Sequence, residues 1–327
     1  MKKHLIAAAV AGALAVPAMA QVTIGGYLEA SYTMTNNDSA ATADTDKVDG
    51  GLFGSNRLVI SGSEDLGGGL KAGFRLESSL NPSNGQAGLN TSVLFNRGSE
   101  VNLSGGFGMV RIGKFDHQGG ENTDLNVVGN FALNSGVASG DNSNAANVEL
   151  GSDRDGTIAY RTPTILGGYA EVAFTGEDQV TGQGAVTSAF FEGGMGALKF
   201  RVGYGKQEKG TGQTDDATRT GVGVSYDLGM AAVSVSYAKM DDLTGKENTE
   251  SIVSVKVPLS GGFDVRGAYR NYENGTATSN DLKEYTVAGV YALSKRTNAF
   301  AAYRNYDYGT GSTADKTVTY LGVNHSF

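Results

Sequence analysis

Polar and apolar residues alternate along most of this 327-residue chain, in sixteen short segments between Val22 and Phe327. Residues 198–204 (LKFRVGY) show the period clearly, because the even-numbered residues are apolar and the odd-numbered ones are basic or glycine. A period of two is that of a β-strand with one apolar face. After the first twenty residues no apolar run reaches the roughly 20 residues of a membrane helix, whereas a barrel strand needs only about 9–11. The pattern predicts an all-β protein that crosses a membrane as a barrel.

The connections between these segments alternate in length. Seven are tight, at residues 65–69, 105–108, 163–168, 194–197, 228–230, 260–262 and 293–296. Eight are longer and polar, near residues 37–50, 81–90, 116–153, 176–184, 208–217, 241–249, 274–281 and 309–315. Fifteen connections join sixteen strands, and short turns on one side with long loops on the other are typical of outer-membrane barrels. We therefore predict a 16-stranded antiparallel transmembrane β-barrel, a size that leaves an aqueous channel.

The first twenty residues have the pattern of a secretory signal peptide. Lys2 and Lys3 precede an apolar stretch at residues 5–16, and Ala18-Met19-Ala20 has the small-x-small form of a cleavage site. We predict a signal peptide over residues 1–20 and one barrel over residues 21–327. The signal holds two of the 26 Lys and Arg residues and none of the 34 Asp and Glu residues, so the exported chain carries 24 − 34 = −10. This charge argues against a nucleic acid partner.

The sequence contains no signature of catalysis or of a bound cofactor. Of the three histidines, one lies in the signal, and neither His117 nor His325 has a serine and acid arranged near it for nucleophilic chemistry. Residues 44–50 faintly resemble a calcium loop, but the glutamate expected further on is absent. Cysteine is absent too, so disulfides do not hold the fold. We expect no enzymatic activity, no metal and no cofactor.

Tyrosines cluster toward the ends of the predicted strands. In a barrel without tryptophan they would form the aromatic girdles at the two membrane interfaces. Ordinary strand propensity also enriches tyrosine and remains an alternative explanation. The tyrosines concerned are Tyr27, Tyr32, Tyr160, Tyr169, Tyr204, Tyr226, Tyr237, Tyr269, Tyr285, Tyr291, Tyr303 and Tyr320.

Several motifs resemble the trimeric 16-stranded general porins of Gram-negative outer membranes, the neisserial and β-proteobacterial type. They are VTIGGY at residues 22–27, SNRL at 55–58, GSEDLGGGLKA at 62–72, LSGGFG at 103–108, VRIG at 110–113, LSKRT at 293–297 and GVNHSF at 322–327. The resemblance implies a homotrimer with three separate pores, surrounded by outer-membrane lipids and lipopolysaccharide. It also implies that the terminal Phe327 is an assembly signal recognised by the barrel-assembly machinery.

The resemblance further assigns a place to the longest connection, residues 116–153. In the family this is the third loop, which folds into the lumen and narrows it, and a loop of this length in a compact fold is usually functional. Asp116, Glu121 and Asp124 would then form the acidic side of the narrowing. An external, solvated loop is the alternative.

Basic residues on inward strand positions would form the opposite side. Apolar residues of these strands read as lipid-facing, so the charged residues next to them should point inward. The lipid-facing residues are Leu58, Ile60, Leu70, Phe74, Leu76, Val110 and Ile112. Their inward neighbours are Arg57, Lys71, Arg75, Glu77 and Arg111. Family position adds Arg97 and Arg154, although counting by twos from Val101 puts Arg97 on the lipid face unless a bulge intervenes. Some relatives carry a further basic residue where this chain has Gly98, so its narrowing should be less positive and wider.

These expectations together describe an outer-membrane porin. It would be a water-filled channel for passive diffusion of small hydrophilic solutes and ions, with a weak preference for anions set by the inward arginines. A substrate-specific porin is the nearer alternative, although no aromatic slide for sugars is evident. A secreted soluble β-sandwich adhesin is the remote one.

Overall fold

The structure is a computed structural model that describes residues 21–38, 42–87, 93–115, 154–177, 182–275, 281–309 and 315–327. The predicted signal peptide and residues 116–153 lie outside this set. Within the described ranges, no helix is both long enough and apolar enough to span a bilayer.

The described residues form strands almost throughout, with one 3-10 turn at Ser260–Gly262. The strands are β1 Gln21–Asn37, β2 Thr45–Asp49, β3 Arg57–Gly67, β4 Leu70–Ser79, β5 Gly98–Gly105, β6 Gly108–Phe115, β7 Arg154–Arg161, β8 Tyr169–Thr175, β9 Val186–Met195, β10 Leu198–Gln207, β11 Ala217–Asp227, β12 Ala232–Asp241, β13 Glu247–Pro258, β14 Phe263–Asn274, β15 Leu282–Ala292, β16 Thr297–Asp307 and β17 Lys316–Ser326.

The sheet closes on itself as an antiparallel barrel of sixteen positions. From β3 onward each strand pairs with the next, and β17 pairs with β1 to complete the ring. On its other edge β1 pairs with β3 through residues 21–27 and with β2 through residues 31–35, so β2 and β3 share one position. The predicted 16-stranded barrel is confirmed. Closure leaves no sheet edge with unpaired backbone groups, as a membrane-spanning sheet requires.

The two faces of the wall have opposite character. In β10 Val202 and Tyr204 are 48% and 44% exposed, while Arg201, which precedes Val202, is 8% exposed. The same alternation runs through the other strands, with large apolar residues outside and polar or small residues inside. An apolar outer surface of this extent suits lipid and would be a liability in water. The predicted direction of each face is therefore confirmed, and a soluble sandwich is not favoured.

The short turns occur where the sequence predicts them, and glycine conformation explains the tightest. Gly67, Gly68 and Gly69, between β3 and β4, have φ of 86°, 62° and 82°, the left-handed region that other residues rarely adopt. One predicted long loop is wrong. Pairing of β12 with β13 continues to Asp241 and Glu247, leaving only residues 242–246 between them. The Asp242 carboxylate closes this turn by accepting hydrogen bonds from Thr244 N and Lys246 N, at 2.8 and 3.0 Å.

Most of the predicted girdle tyrosines face outward, but three do not. Tyr32, Tyr160, Tyr204, Tyr226, Tyr237, Tyr269, Tyr285, Tyr291 and Tyr303 are exposed on the outer surface. Tyr27 donates to Glu29 inside the barrel, Tyr169 lies beneath Arg161, and Tyr320 packs inside near Arg304. Strand-end position alone does not decide which face a tyrosine takes.

The chain end closes the barrel seam against β1. Gly26 N donates to Phe327 O at 3.0 Å, and Phe327 N donates to Gly26 O at 3.2 Å. A Cβ at Gly26 would lie 2.4 Å from the Arg57 carbonyl oxygen and 2.6 Å from the ring Cζ atom of Phe327. Glycine at position 26 therefore makes room for both the neighbouring backbone and the terminal ring.

This geometry separates two roles of the last residue. We expect deletion of Phe327 to reduce folded protein in the outer membrane severely, because the resemblance makes the residue an assembly signal. Gly26→Val keeps Phe327 but crowds both its ring and the Arg57 carbonyl group, so the protein should assemble and then unfold at a lower temperature. Membrane fractionation and heat-dependent gel mobility measure the two effects. Normal levels of the truncated protein would contradict the assembly role.

Candidate functional site: the charged inner wall

The inward face of the barrel carries charged side chains that contact one another across neighbouring strands. Among the residues that the structure describes, four groups hold three or more charges each. Cations outnumber carboxylates in three of them and equal them in the fourth. The groups are Arg57, Arg75 and Arg97 with Glu77; Arg111 and Arg161 with Glu100 and Glu171; Arg219, Arg270 and Arg304 with Glu250 and Glu284; and Lys256 and Arg266 with Asp264.

The first group brings three of the predicted basic residues together on β3, on β4 and just before β5. Arg75 Nη2 forms a short hydrogen bond with Glu77 Oε2, and Arg97 Nε donates to Oε1 at 2.9 Å. Arg57 Nε lies 3.8 Å from the same carboxylate. The side chains of Arg57 and Arg75 are 39% and 44% exposed, so both guanidinium groups also face the water of the lumen.

Arg97 faces the lumen although the alternation predicts the lipid side. β5 begins only at Gly98, which pairs with Glu77, so the period of two does not extend back to position 97. Arg97 instead lies at the end of the incoming loop, where its N–H donates to Glu77 O at 3.2 Å and its side chain turns inward. Here the family position was the better guide than the strand pattern.

Arg111 points inward as predicted but joins a different group. Its Nε donates to Glu100 at 2.9 Å, and its Nη1 lies 3.2 Å from Glu171. Arg161 donates to the same Glu171 at 2.9 Å. Two guanidinium groups meet two carboxylates, and Arg111 is only 12% exposed, so this group is balanced and largely withdrawn from the lumen. Because its charges balance, this group offers a smaller net field to a passing ion than the first group does.

The remaining predicted residues lie apart or outside the described region. Lys71 pairs across the strands with Asp65 beside a turn, four residues nearer that end than Arg75. Arg154 begins β7 opposite Phe115, and only its backbone is described. Asp116, Glu121 and Asp124 belong to the range that the structure does not describe. The structure thus unites Arg57, Arg75 and Arg97 only.

Sequence reasoning missed several inward charges. Arg266 donates to Asp264 at 2.6 Å and lies 5.0 Å above the ring of Phe53. Arg304 and Glu284, 3.2 Å apart, are almost fully buried on the inner face of β16 and β15. Glu29 of β1 is completely buried. Counting by twos from Leu28, Val265 or Tyr303 would have found them, since each lies next to an outward apolar residue.

A cavity of about 300 Å³ adjoins the first group. Its wall combines the two exposed guanidinium groups with hydroxyl groups, and its polar lining comprises Thr23, Tyr27, Arg57, Ser61, Arg75 and Ser326. Guanidinium and hydroxyl hydrogens are donors that suit an anion or a carboxylate. Among the residues that the structure describes, no group of three or more metal-ligating side chains occurs.

Comparison with known proteins places the sequence in a family. Residues 7–311 match the model of the Gram-negative porins. The outer membrane porin protein 32 of Delftia acidovorans is 31% identical over 91% of this chain and 87% of its own. The major outer membrane protein P.IB of Neisseria lactamica is 28% identical over the full length of both proteins.

Solved structures agree on the fold. An anion-selective porin from Comamonas acidovorans has a TM-score of 0.72 at 22% identity, covering 94% of this chain and all of that one. A trimer form of OmpT from Vibrio cholerae has a TM-score of 0.66 at 16% identity, covering 94% of this chain and 99% of that one. With the closed barrel, the apolar outer face and the charged lumen, these matches show that the chain belongs to the Gram-negative porin family and forms a channel for passive diffusion in the outer membrane.

Proposed function

We propose that this porin prefers anions weakly and that Arg57, Arg75 and Arg97 set the preference. The observation that carries the proposal is the convergence of three guanidinium groups on the single carboxylate of Glu77, with Arg57 and Arg75 exposed to the lumen. A passing anion meets these donors in the cavity beside them. The anion-selective porin from Comamonas acidovorans, whose structure has the same fold, supports the same sign of selectivity.

The net charge of −10 expected for the chain without residues 1–20 does not oppose this sign. Many acidic residues lie in loops, as Asp215 and Asp216 do, and the Debye length at physiological salt is about 8 Å. Charges on the inner wall act at shorter range and beside a low-dielectric barrel, where their field on an ion is stronger. The inner wall therefore decides the preference.

The longest connection supplies the other half of the proposed narrowing. Residues 116–153 link β6 to β7, next to the balanced Arg111 group, and are long enough to reach the lumen. Asp116, Glu121 and Asp124 would then face the arginines and produce a field across the pore that orients dipolar solutes.

Further parts of the proposal concern assembly. The trimer form of a structural neighbour supports a homotrimer of this chain. Family membership supports three further parts of the proposal. Residues 1–20 are removed on export, Phe327 is recognised by the assembly machinery, and the barrel contacts lipopolysaccharide. Porins are transport channels rather than enzymes, and we propose no catalytic activity here.

Planar-bilayer recording in a salt gradient tests the proposal directly. The purified trimer should give stepwise conductance, and its reversal potential should show chloride to be more permeant than potassium. A reversal potential of cation-selective sign would overturn the preference while leaving the channel itself established.

The two exposed arginines can be tested together. Replacing both Arg57 and Arg75 by Gln should lower the chloride-to-potassium permeability ratio roughly twofold or more, equivalent to about 0.4 kcal/mol in relative barrier height. The reason is that two positive charges leave the lumen while the outer surface is unchanged. The measurement is the reversal potential in a salt gradient.

A matched control removes the same charge elsewhere. Lys239 and Lys283 are outward residues on β12 and β15, and Lys239 pairs with Glu247 at 2.7 Å. Replacing both lysines by Gln should leave the permeability ratio unchanged, because screening separates them from the lumen. An arginine double variant with the parental reversal potential would show that this group is not the selectivity element.

The long connection, residues 116–153, can be shortened. Removing residues 135–144 should raise single-channel conductance, because a shorter segment fills less of the lumen. Heat-dependent gel mobility shows whether the trimer is intact. Unchanged conductance in an intact trimer would place the connection outside the pore.

A further inference from the structure

A short segment of the wall, residues 50–56, leaves the sheet and enters the lumen. In β1 three residues separate Tyr27 from Ser31, and these two pair with Arg57 and Asp49 on the neighbouring edge. Seven residues separate Asp49 from Arg57. A paired strand would need only three residues there, so the four extra residues must leave the wall. We call residues 50–56 the inner segment.

The apolar part of the inner segment packs on the inside of β15 and β16. Leu52 and Phe53 are 4% and 9% exposed, and they form one cluster with Ala288, Val290, Phe300 and Ala302. These four face inward, since their neighbours Val287 and Tyr303 are exposed outside. The Phe53 ring meets Phe300 edge to face, with centroids 4.8 Å apart. The inner segment thus reaches across β1 and β17 along the inner surface.

The Glu29 carboxylate binds the backbone of the inner segment. It accepts hydrogen bonds from Leu52 N at 2.5 Å, Phe53 N at 2.9 Å and Tyr27 Oη at 2.7 Å. A buried carboxylate is tolerated only when its oxygens are well hydrogen-bonded, and these three donors meet that condition. The contact joins residues 23 and 24 positions apart in the sequence.

Asn56 fills the gap that the inner segment leaves in the wall. Its Oδ1 accepts from Glu29 N at 2.5 Å and its Nδ2 donates to Glu29 O at 3.0 Å, as a neighbouring strand's backbone would. The next residue is Arg57, the first of β3 and a member of the exposed arginine group. Gly54 lies against Tyr27, where a Cβ would be 2.9 Å from the ring. The inner segment and the position of Arg57 are therefore coupled.

We propose that the inner segment is a second narrowing of the channel, separate from residues 116–153, and that Glu29 is the residue that positions it. A layer of chain packed face to face on a sheet occupies about 10 Å of depth. Material of that depth on one side of the lumen reduces the area open to ions and solutes. The inference rests on the channel function and does not require the proposed ion preference.

Deleting residues 51–54 tests the proposal on the full-length trimer. The deletion leaves three residues between Asp49 and Arg57, the number that β1 has opposite them, so the wall can pair without a gap. Single-channel conductance should rise roughly 1.5-fold, because a layer about 10 Å deep is removed. Liposome swelling should show faster entry of larger sugars. Unchanged conductance and swelling in a heat-stable trimer would overturn the proposal.

Glu29→Gln tests the positioning role. The amide retains the size of the side chain but keeps one acceptor oxygen instead of two, so conductance should rise by less than in the deletion and open-channel noise should increase. Glu192→Gln is the matched control, since Glu192 is an inward carboxylate of β9 beside Arg201 and far from the inner segment. It removes the same charge far from the inner segment and should leave the open-channel noise unchanged. Identical records from the two variants would show that Glu29 does not position the segment.

A chemical probe covers the case in which the deletion variant does not fold. The chain has no cysteine, so Ser55→Cys introduces a single thiol within the inner segment. Modification of that thiol by a charged methanethiosulfonate reagent should reduce the single-channel current. The same treatment of Ser251→Cys, which is exposed on the outer face of β13, should have no effect. A modified Ser55→Cys channel with full current would overturn the proposal.

Discussion

Backbone pairing around a closed ring is the constraint on which the rest of this structure depends. Lipid offers no hydrogen-bond partner to an unpaired N–H or C=O group, so every strand must have a neighbour on both sides. Pairing of β1 with β17 meets this condition, and Gly26 allows the terminal Phe327 to complete the seam. Once the ring is closed, each strand has one face toward lipid and one toward water, and the polarity of its side chains follows.

Closure also explains where the charges meet. A charged side chain at the lipid midplane costs about 2–4 kcal/mol, so the strands place Arg and Glu inward, where partners and water are available. Neighbouring strands then bring opposite charges together, and the barrel wall acquires groups such as Arg111 and Arg161 with Glu100 and Glu171. Where the numbers of cations and carboxylates differ, as around Glu77, the remaining field is available to a permeating ion.

Among the described strands, an interruption of the ring between β2 and β3 carries a second role. Between β2 and β3 the wall lacks backbone partners for Glu29, and Asn56 replaces them with its side-chain amide. The inner segment enters the lumen at this point and packs there on Phe300. The Glu29 carboxylate sets its direction. The same segment thus completes the hydrogen bonds of the wall at Glu29 and narrows the channel. Arg57 follows it directly in the sequence.

The sequence by itself determined the barrel, the position of nearly every turn, the face of Arg57, Arg75, Arg111 and Glu77, and the family. These features depend on local periods and turn chemistry, because a strand's alternation is readable from its own residues. Only the tertiary structure decided that Arg97 joins Glu77, that Arg111 is neutralised by Glu171, 60 residues away, and that Leu52 and Phe53 leave the wall to contact Glu29 and Phe300. Those contacts join residues distant in sequence through strand register and closure, which no local period encodes.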